Sequence, residues 1–256
     1  MEKKGLVGLI LSGQPVPVKN CNILITQPKV KEILLFGEEE FLTTVFIFSH
    51  PDTFLKTIRK GNPQLDHLSD FQLLIVVLSQ NEELKNQFEG FCELVFPNYA
   101  IEVTSGSIDF KNKEDEEEEN LELILGQINP FNFQDFQETL SFIFESQVGK
   151  EKEYNPANAK AKEIADKLKR GRERIAQQNP NKVQSMLANY ASVLSIGMRV
   201  SIDVFFNYTI FQLYDAYIRY NKKEAYDYYQ RVASMPFMDV SKVEAPEDWF
   251  GELYKS

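Results

Sequence analysis

Apolar positions recur at helical spacing through residues 28–96, alternate strictly with polar ones near 100–128, and return to helical spacing from about residue 133. In "QPKVKEILLFG" Pro28 suits a first helical turn, Val30, Ile33 and Leu34 share a face, and Gly37 ends the helix. "EEEFLTTVFIFSH" opens on three carboxylates, which a helix dipole favours, and is apolar almost all round, so a deeply buried helix is expected. "HLSDFQLLIVVLSQNEELKNQFEGFCELVF" reads as two further helices, capped by Ser69 and opened by Asn81, Glu82 and Glu83. "CNILIT" predicts a brief strand. "AIEVTSGSIDFK" alternates about Ser-Gly as a hairpin does, and "ENLELILGQI" supplies a third strand, with strands near 100–104, 107–111 and 121–128.

Helical spacing returns with Phe133, Phe136, Leu140 and Phe144, then lapses in "QVGKEKEYNPANA". The pattern predicts a mostly helical α+β fold. Residues 1–148 form a mixed domain with a small antiparallel meander, 149–158 a linker, and 159–256 an all-α region. That last region is read as a basic helix over 159–176, a helix through "KVQSMLANYASVLSIGMRV", and a helical pair from Thr209 to about Ser234. Thr209 and Gln212 form a T-x-x-Q capping box at its start.

Charge changes this picture in two places. The chain carries −10 overall, which opposes indiscriminate attraction to DNA or anionic membrane. The acidic stretch "NKEDEEEEN", residues 112–120, is read as a solvated hairpin tip. It lacks the alternating ligands and turn glycine of a calcium loop. Between Lys150 and Lys182, by contrast, ten Lys or Arg face five Asp or Glu, a local excess of +5 that leaves −15 on the rest. On the 159–176 helix Ala161, Ile164, Ala165, Leu168, Ile175 and Ala176 gather on one side, with Lys167, Lys169, Arg170 and Arg174 among the basic residues on the rest. The first reading is a docked amphipathic helix with a solvated basic face. Recognition of an acidic protein surface comes second. Nucleic acid ranks third, because no aromatic residues interleave with the charges.

Little in the sequence points to catalysis. His50 and His67 have no metal-ligand spacing, and GxxxxGK[ST], GxGxxG and GxSxG are absent. Cys21 and Cys92 have no CxxC or zinc spacing. A Cys92–His pair would have to be assembled in space, with no local motif behind it. No catalytic residue, metal or cofactor is expected. The apolar run Leu6–Leu11 is too short for a signal peptide, and no stretch of about 18 apolar residues predicts a membrane span, so a soluble intracellular protein is expected.

Aromatic residues concentrate in "FFNYTIFQLYDAYIRYNKKEAYDYYQRV". Phe211, Tyr214 and Ile218 share a face, Tyr217 lies near its edge, Tyr220 points elsewhere, and Tyr226 and Tyr229 belong to the next helix. Tyrosines of this kind line either a core rim or a protein interface. Trp249, beside Phe250, reads as an anchor onto its own domain. The candidate partner-binding residues are therefore Lys167, Lys169, Arg170, Arg174, Tyr214, Tyr217, Tyr220 and Trp249.

Three blocks, "ILITQPKVKEILLFGEEEF", "NPANAKAKEIADKLKRGRERIA" and "TIFQLYDAYIRY…DYYQRVA…APEDWFGEL", resemble a kind of protein encoded among the tail genes of phages of low-GC Gram-positive hosts. That kind is often considered a tail assembly chaperone. The resemblance implies a non-enzymatic protein of the host cytoplasm that binds the tape measure protein, or another tail component, during tail morphogenesis. The alternatives are a virion subunit of connector or baseplate type, and a nucleic-acid-binding regulator acting through the basic helix.

Overall fold

The computed structural model describes residues 3–113, 123–145, 185–236, 245–246 and 248–251. The expectations for the acidic tip beyond Lys113, the 149–158 linker and the basic helix 159–176 lie outside the described residues.

Lys3–Leu11 forms helix α1, which the sequence reading did not foresee because Gly5 and Gly8 weaken helix propensity. Tertiary contact overrides that weakness: Ile10 is buried, and Leu6 and Leu11 pack on the core. A two-stranded antiparallel ribbon follows, β1 (Val16–Val18) and β2 (Ile23–Ile25). Its turn uses Asn20 and Asn22 at positive φ, a conformation asparagine tolerates. Helix α2 (Val30–Phe36) starts at the N-cap Lys29, whose backbone N–H donates to Glu32. Pro28 therefore precedes the cap rather than sitting in the first turn as expected. Gly37, at φ 122°, ends α2 and turns the chain directly into α3 (Glu38–Ser49).

Helix α3 is the centre of the fold. It touches α2, α4 (Pro51–Gly61), α6 (Glu82–Val95) and α7 (Phe133–Phe144). Apolar residues around most of its circumference make that possible, and Phe41 and Phe48 are fully enclosed. Aromatic pairs hold the layers together. Phe48 stacks on Phe88 at 4.6 Å, Phe41 meets Phe91 and Phe144 at 5.3 Å each, and Phe96 meets Phe110 at 4.9 Å. Helix α5 (Asp70–Gln80) packs on α4, with Ser69 and Gln72 forming a capping box at its start; Asn81 caps α6.

The meander has the order β3 (Tyr99–Val103), β4 (Ile108–Asn112), β5 (Ile124–Ile128), antiparallel throughout, with the first turn at Ser105–Gly106 as expected. A bulge lies between Phe110 and Lys111 on the side facing β5. Beyond β5 the β1–β2 turn closes the sheet: Gln127 N–H donates to Cys21 C=O, and the Asn22 side-chain amide donates to Leu125 C=O. Gly126 permits this approach, since a Cβ there would lie 2.6 Å from the Cys21 carbonyl oxygen.

After α7, the described chain resumes in α8 (Met186–Met198), the short α9 (Ile202–Phe206) and α10 (Ile210–Ala233). Helix α8 packs on α9 and α10, α9 on α2, and α10 on α1 and α7. The fold is thus mostly helical α+β, with helices and small antiparallel sheets first and helices last. Buried residues of α8–α10, among them Leu187, Leu194 and Phe211, belong to the same contiguous core as those of α3 and α6.

A second expectation is corrected as well. The pair of helices from Thr209 to Ser234 is a single helix of 24 residues. "YNKKEAY" contains no glycine or proline, and ion pairs one turn apart, Asp215–Arg219 and Lys223–Asp227, support the helix on either side of Asn221. The Thr209–Gln212 capping box is present as read.

Candidate functional site

The four candidate residues among the described ones, Tyr214, Tyr217, Tyr220 and Trp249, do not form one surface. Lys167, Lys169, Arg170 and Arg174 lie outside the described residues. Tyr214 is only 3% exposed, which removes it from any partner surface. Its place on the α10 face that meets α8 makes it part of the core. Tyr217 is half-buried and stacks on Tyr190 of α8, with centroids 4.1 Å apart. Tyr220 and Trp249 line a cavity of about 670 Å³, together with Leu11, Met198 and Ala216. Arg219 crosses this region, donating to Asp215 and to the backbone carbonyls of Trp249 and Gly251. That arrangement fixes the C-terminal Trp249 against α10, the intramolecular anchoring expected for it. Gly197 allows α8 to approach Tyr220, because a Cβ there would collide with the Tyr220 ring.

A different surface stands out. Helix α8, "MLANYASVLSIGM", has thirteen residues without a charge. Leu187, Ala191 and Leu194 point inward, and yet Val193 (41%) and Ile196 (77%) are exposed on its outer side. Met198 and Val200 at its end, Val204 on α9 and Leu35 on α2 are exposed as well. The three helices touch in series, and Lys31 on α2 donates to Asn207 after α9 at 2.9 Å. Isolated exposed apolar side chains are ordinary, and the grouping of several on adjoining helices makes this the candidate surface for a protein partner. The signal in the sequence was the absence of charge from residue 186 to 198. The sequence reading overlooked it in favour of the tyrosines downstream.

The start of α8 is held from a distance. Ser185 caps its own helix by accepting from Ala188 N–H at 2.9 Å. Glu38, at the start of α3, accepts from the Met186 and Leu187 backbone N–H groups at 2.9 and 3.1 Å, and from the Ser185 hydroxyl. A carboxylate therefore sits on the positive end of α8 and ties it to α3. At the other end Arg199, in the left-handed region at φ 57°, closes the helix, and Ser195 Oγ donates to the Val200 carbonyl at 2.7 Å. The apolar face is mounted on a helix fixed at both termini.

The ionisable groups within the core are protected ones. Burial, and secondarily the Asp135 carboxylate, pushes the Cys21 thiol up to about 12. Burial, with Glu89 and Glu93, raises the Cys92 thiol well above its usual range. Neither thiol is poised as a nucleophile, which requires the thiolate. His67 is exposed, and the His50 ring approaches Glu145 at 2.6 Å, without hydrogen-bond alignment, rather than a thiol. Tyr214 is raised by burial and then by Tyr190 and Glu38; Tyr190 is raised by burial and then by Tyr217 and Glu38.

These four acids have a consequence for stability. Each holds its proton more tightly when folded, so the unfolded chain releases protons first as pH rises. Unfolding should become easier above pH 9, where an unfolded thiol ionises, and Cys21 should continue to contribute to the decline up to about pH 12. For each of the two buried thiols the slope approaches about 1.4 kcal/mol per pH unit above its unfolded pKa. Urea midpoints measured across that window should fall steadily, and a flat profile would contradict the burial of these groups.

Among the described residues no group of three or more His, Cys, Asp or Glu side chains is arranged to hold a metal ion. Nor is any described helix long and apolar enough to cross a membrane. Comparison with known families places a match on this same part of the chain. Residues 177–254 are similar to the family described as the YomV second domain. The family is phage-associated, and the similarity supports a phage protein. Neither a curated protein nor a solved structure matches the chain.

Proposed function

We propose that this protein is a non-enzymatic tail assembly chaperone of a phage, acting in the host cytoplasm on the tape measure protein. The observation that carries the reading is the exposed apolar side of α8 with Val193 and Ile196 at its centre. A tape measure protein is long and helical, and before tail-tube subunits cover it, its apolar stripes need temporary burial. A rigid, uncharged helix face meets that need by packing against an amphipathic partner helix. The similarity of residues 177–254 to a phage-associated family supports the setting. The basic residues Lys167, Lys169, Arg170 and Arg174 would add attraction to acidic positions on the partner.

Co-expression with a phage tape measure protein tests the reading. The two should co-purify, and Val193→Asp with Ile196→Asp should reduce recovery at least tenfold, since a central apolar contact contributes more than about 1.4 kcal/mol. Mass spectrometry of purified particles should show the protein absent. Stoichiometric presence in particles would instead identify a virion subunit of connector or baseplate type. Unchanged recovery with the double variant would remove α8 from the interaction.

A further inference from the structure

The two edges of the meander are treated differently. The β5 edge is closed by the β1–β2 turn through Gln127, Asn22 and Cys21. The β3 edge has no neighbour among the described strands. Thr104 N–H donates to Ser107 C=O across the hairpin turn at 2.8 Å, and this sets the alternation of the ladder. Ala100 and Glu102 bond to β4. The N–H and C=O groups of Ile101 and Val103 therefore point to the open edge, as does the Tyr99 carbonyl. Tyr99 N–H is occupied by the Phe96 carbonyl at 3.0 Å. Open edges are commonly guarded by proline, an inward lysine or a bulge. "YAIEV" has neither residue, and the bulge in this sheet faces β5.

We propose that β3 is the interface of a twofold dimer, in which a second copy of this chain adds its own β3 antiparallel to the first about Ile101. The edge is complementary to itself. Ile101 N–H meets the partner's Ile101 carbonyl and the reverse, and each Val103 N–H meets the partner's Tyr99 carbonyl. Four main-chain hydrogen bonds result, none of which needs the occupied Tyr99 N–H. Side chains agree with this register: Val103 lies opposite Tyr99, and Glu102 lies opposite Ala100, so no like charges face each other across the seam. The groove of about 610 Å³ beside β3 is lined on α6 by Lys85, which pairs with Glu89 of the same groove at 3.7 Å, and by Glu93.

Sedimentation of the full chain across the micromolar range should show a reversible monomer–dimer equilibrium. Val103 is 38% exposed, and its N–H does not bond to β4, so Val103→Pro should leave the circular dichroism unchanged and weaken the dimer at least tenfold. A second variant fixes the register. Ile101→Cys places two thiols on an opposed pair with Cα atoms about 5.5 Å apart, within disulfide reach, and should cross-link on oxidation. Glu102→Cys, whose opposite residue is Ala100, should not. The native thiols are buried and leave this background clean. Ile196→Asp should not change the dimer, which keeps this test separate from that of the α8 face. A monomer at all concentrations, or a dimer indifferent to Val103→Pro, or a dimer in which Ile101→Cys fails to cross-link, would overturn the proposal.

Discussion

Replacing Phe48 by alanine is expected to lower the unfolding free energy by about 3–5 kcal/mol, the range for removing a buried phenylalanine. Phe48 is fully enclosed in the last turn of α3, stacked on Phe88 at 4.6 Å and edge-on to Phe136 at 6.3 Å. Its loss opens a cavity between α3, α6 and α7, and no neighbouring side chain is free to swing in, because Phe88 and Phe136 are themselves buried. A domain is stable by only about 5–15 kcal/mol, so the variant stands near the limit of folding. Urea unfolding should show an earlier midpoint with an unchanged slope. Phe131 provides the control: at 97% exposure, its replacement by alanine should change stability by less than about 0.5 kcal/mol. Equal losses in the two variants would mean that the core is not centred on α3.

The second large effect is expected at Glu38. Replacement by alanine leaves the Met186 and Leu187 N–H groups at the head of α8 without their acceptor. Such a loss costs about 1–3 kcal/mol for part-buried donors bonded to a charged group. Ser185 still serves the Ala188 N–H, so α8 should not melt outright. Its first turn should instead fray. Glu38→Gln keeps an acceptor oxygen and should lose roughly half as much, since the charge-assisted part is removed. Amide hydrogen exchange gives a local readout: protection should fall at the start of α8 before it falls in α3. If Glu38→Ala loosened α3 and left α8 protected, the carboxylate would be serving its own helix and not the distant one. Where α8 carries the partner, the same variant should also weaken capture of the tape measure protein, though less than Val193→Asp with Ile196→Asp.

Some of this arrangement was written in local sequence. The caps at Ser69, Asn81 and Thr209 join residues three apart, so the sequence can show them without knowledge of the fold. The hairpin about Ser105–Gly106 is local in the same sense, and its alternation survives as Ile101 against Phe110 and Val103 against Ile108. The burial of α3 was legible because apolar residues around a helix leave little choice of surroundings. Local pattern was misleading where no breaker stood. "YNKKEAY" reads as a polar joint, but without glycine or proline the helix simply continues, and its ion pairs favour that continuation.

What the sequence determined by itself is the helical character of 38–49, 70–80 and 82–95, the meander after them, the caps at Ser69, Asn81 and Thr209, and the charge asymmetry between the stretch 150–182 and the rest. Tertiary structure alone decided which surfaces remain available. Tyr214 and Val193 are both apolar-leaning residues on amphipathic helices, and only the packing of α8 against α10 buries the first and exposes the second. Glu38 caps a helix that begins 148 residues later, and no spacing rule spans that distance. The open β3 edge follows from which strand the β1–β2 turn happens to cover. Capping and periodicity depend on bonds within one turn or one hairpin, whereas exposure depends on the relative placement of whole elements, which is set by the sum of all their contacts.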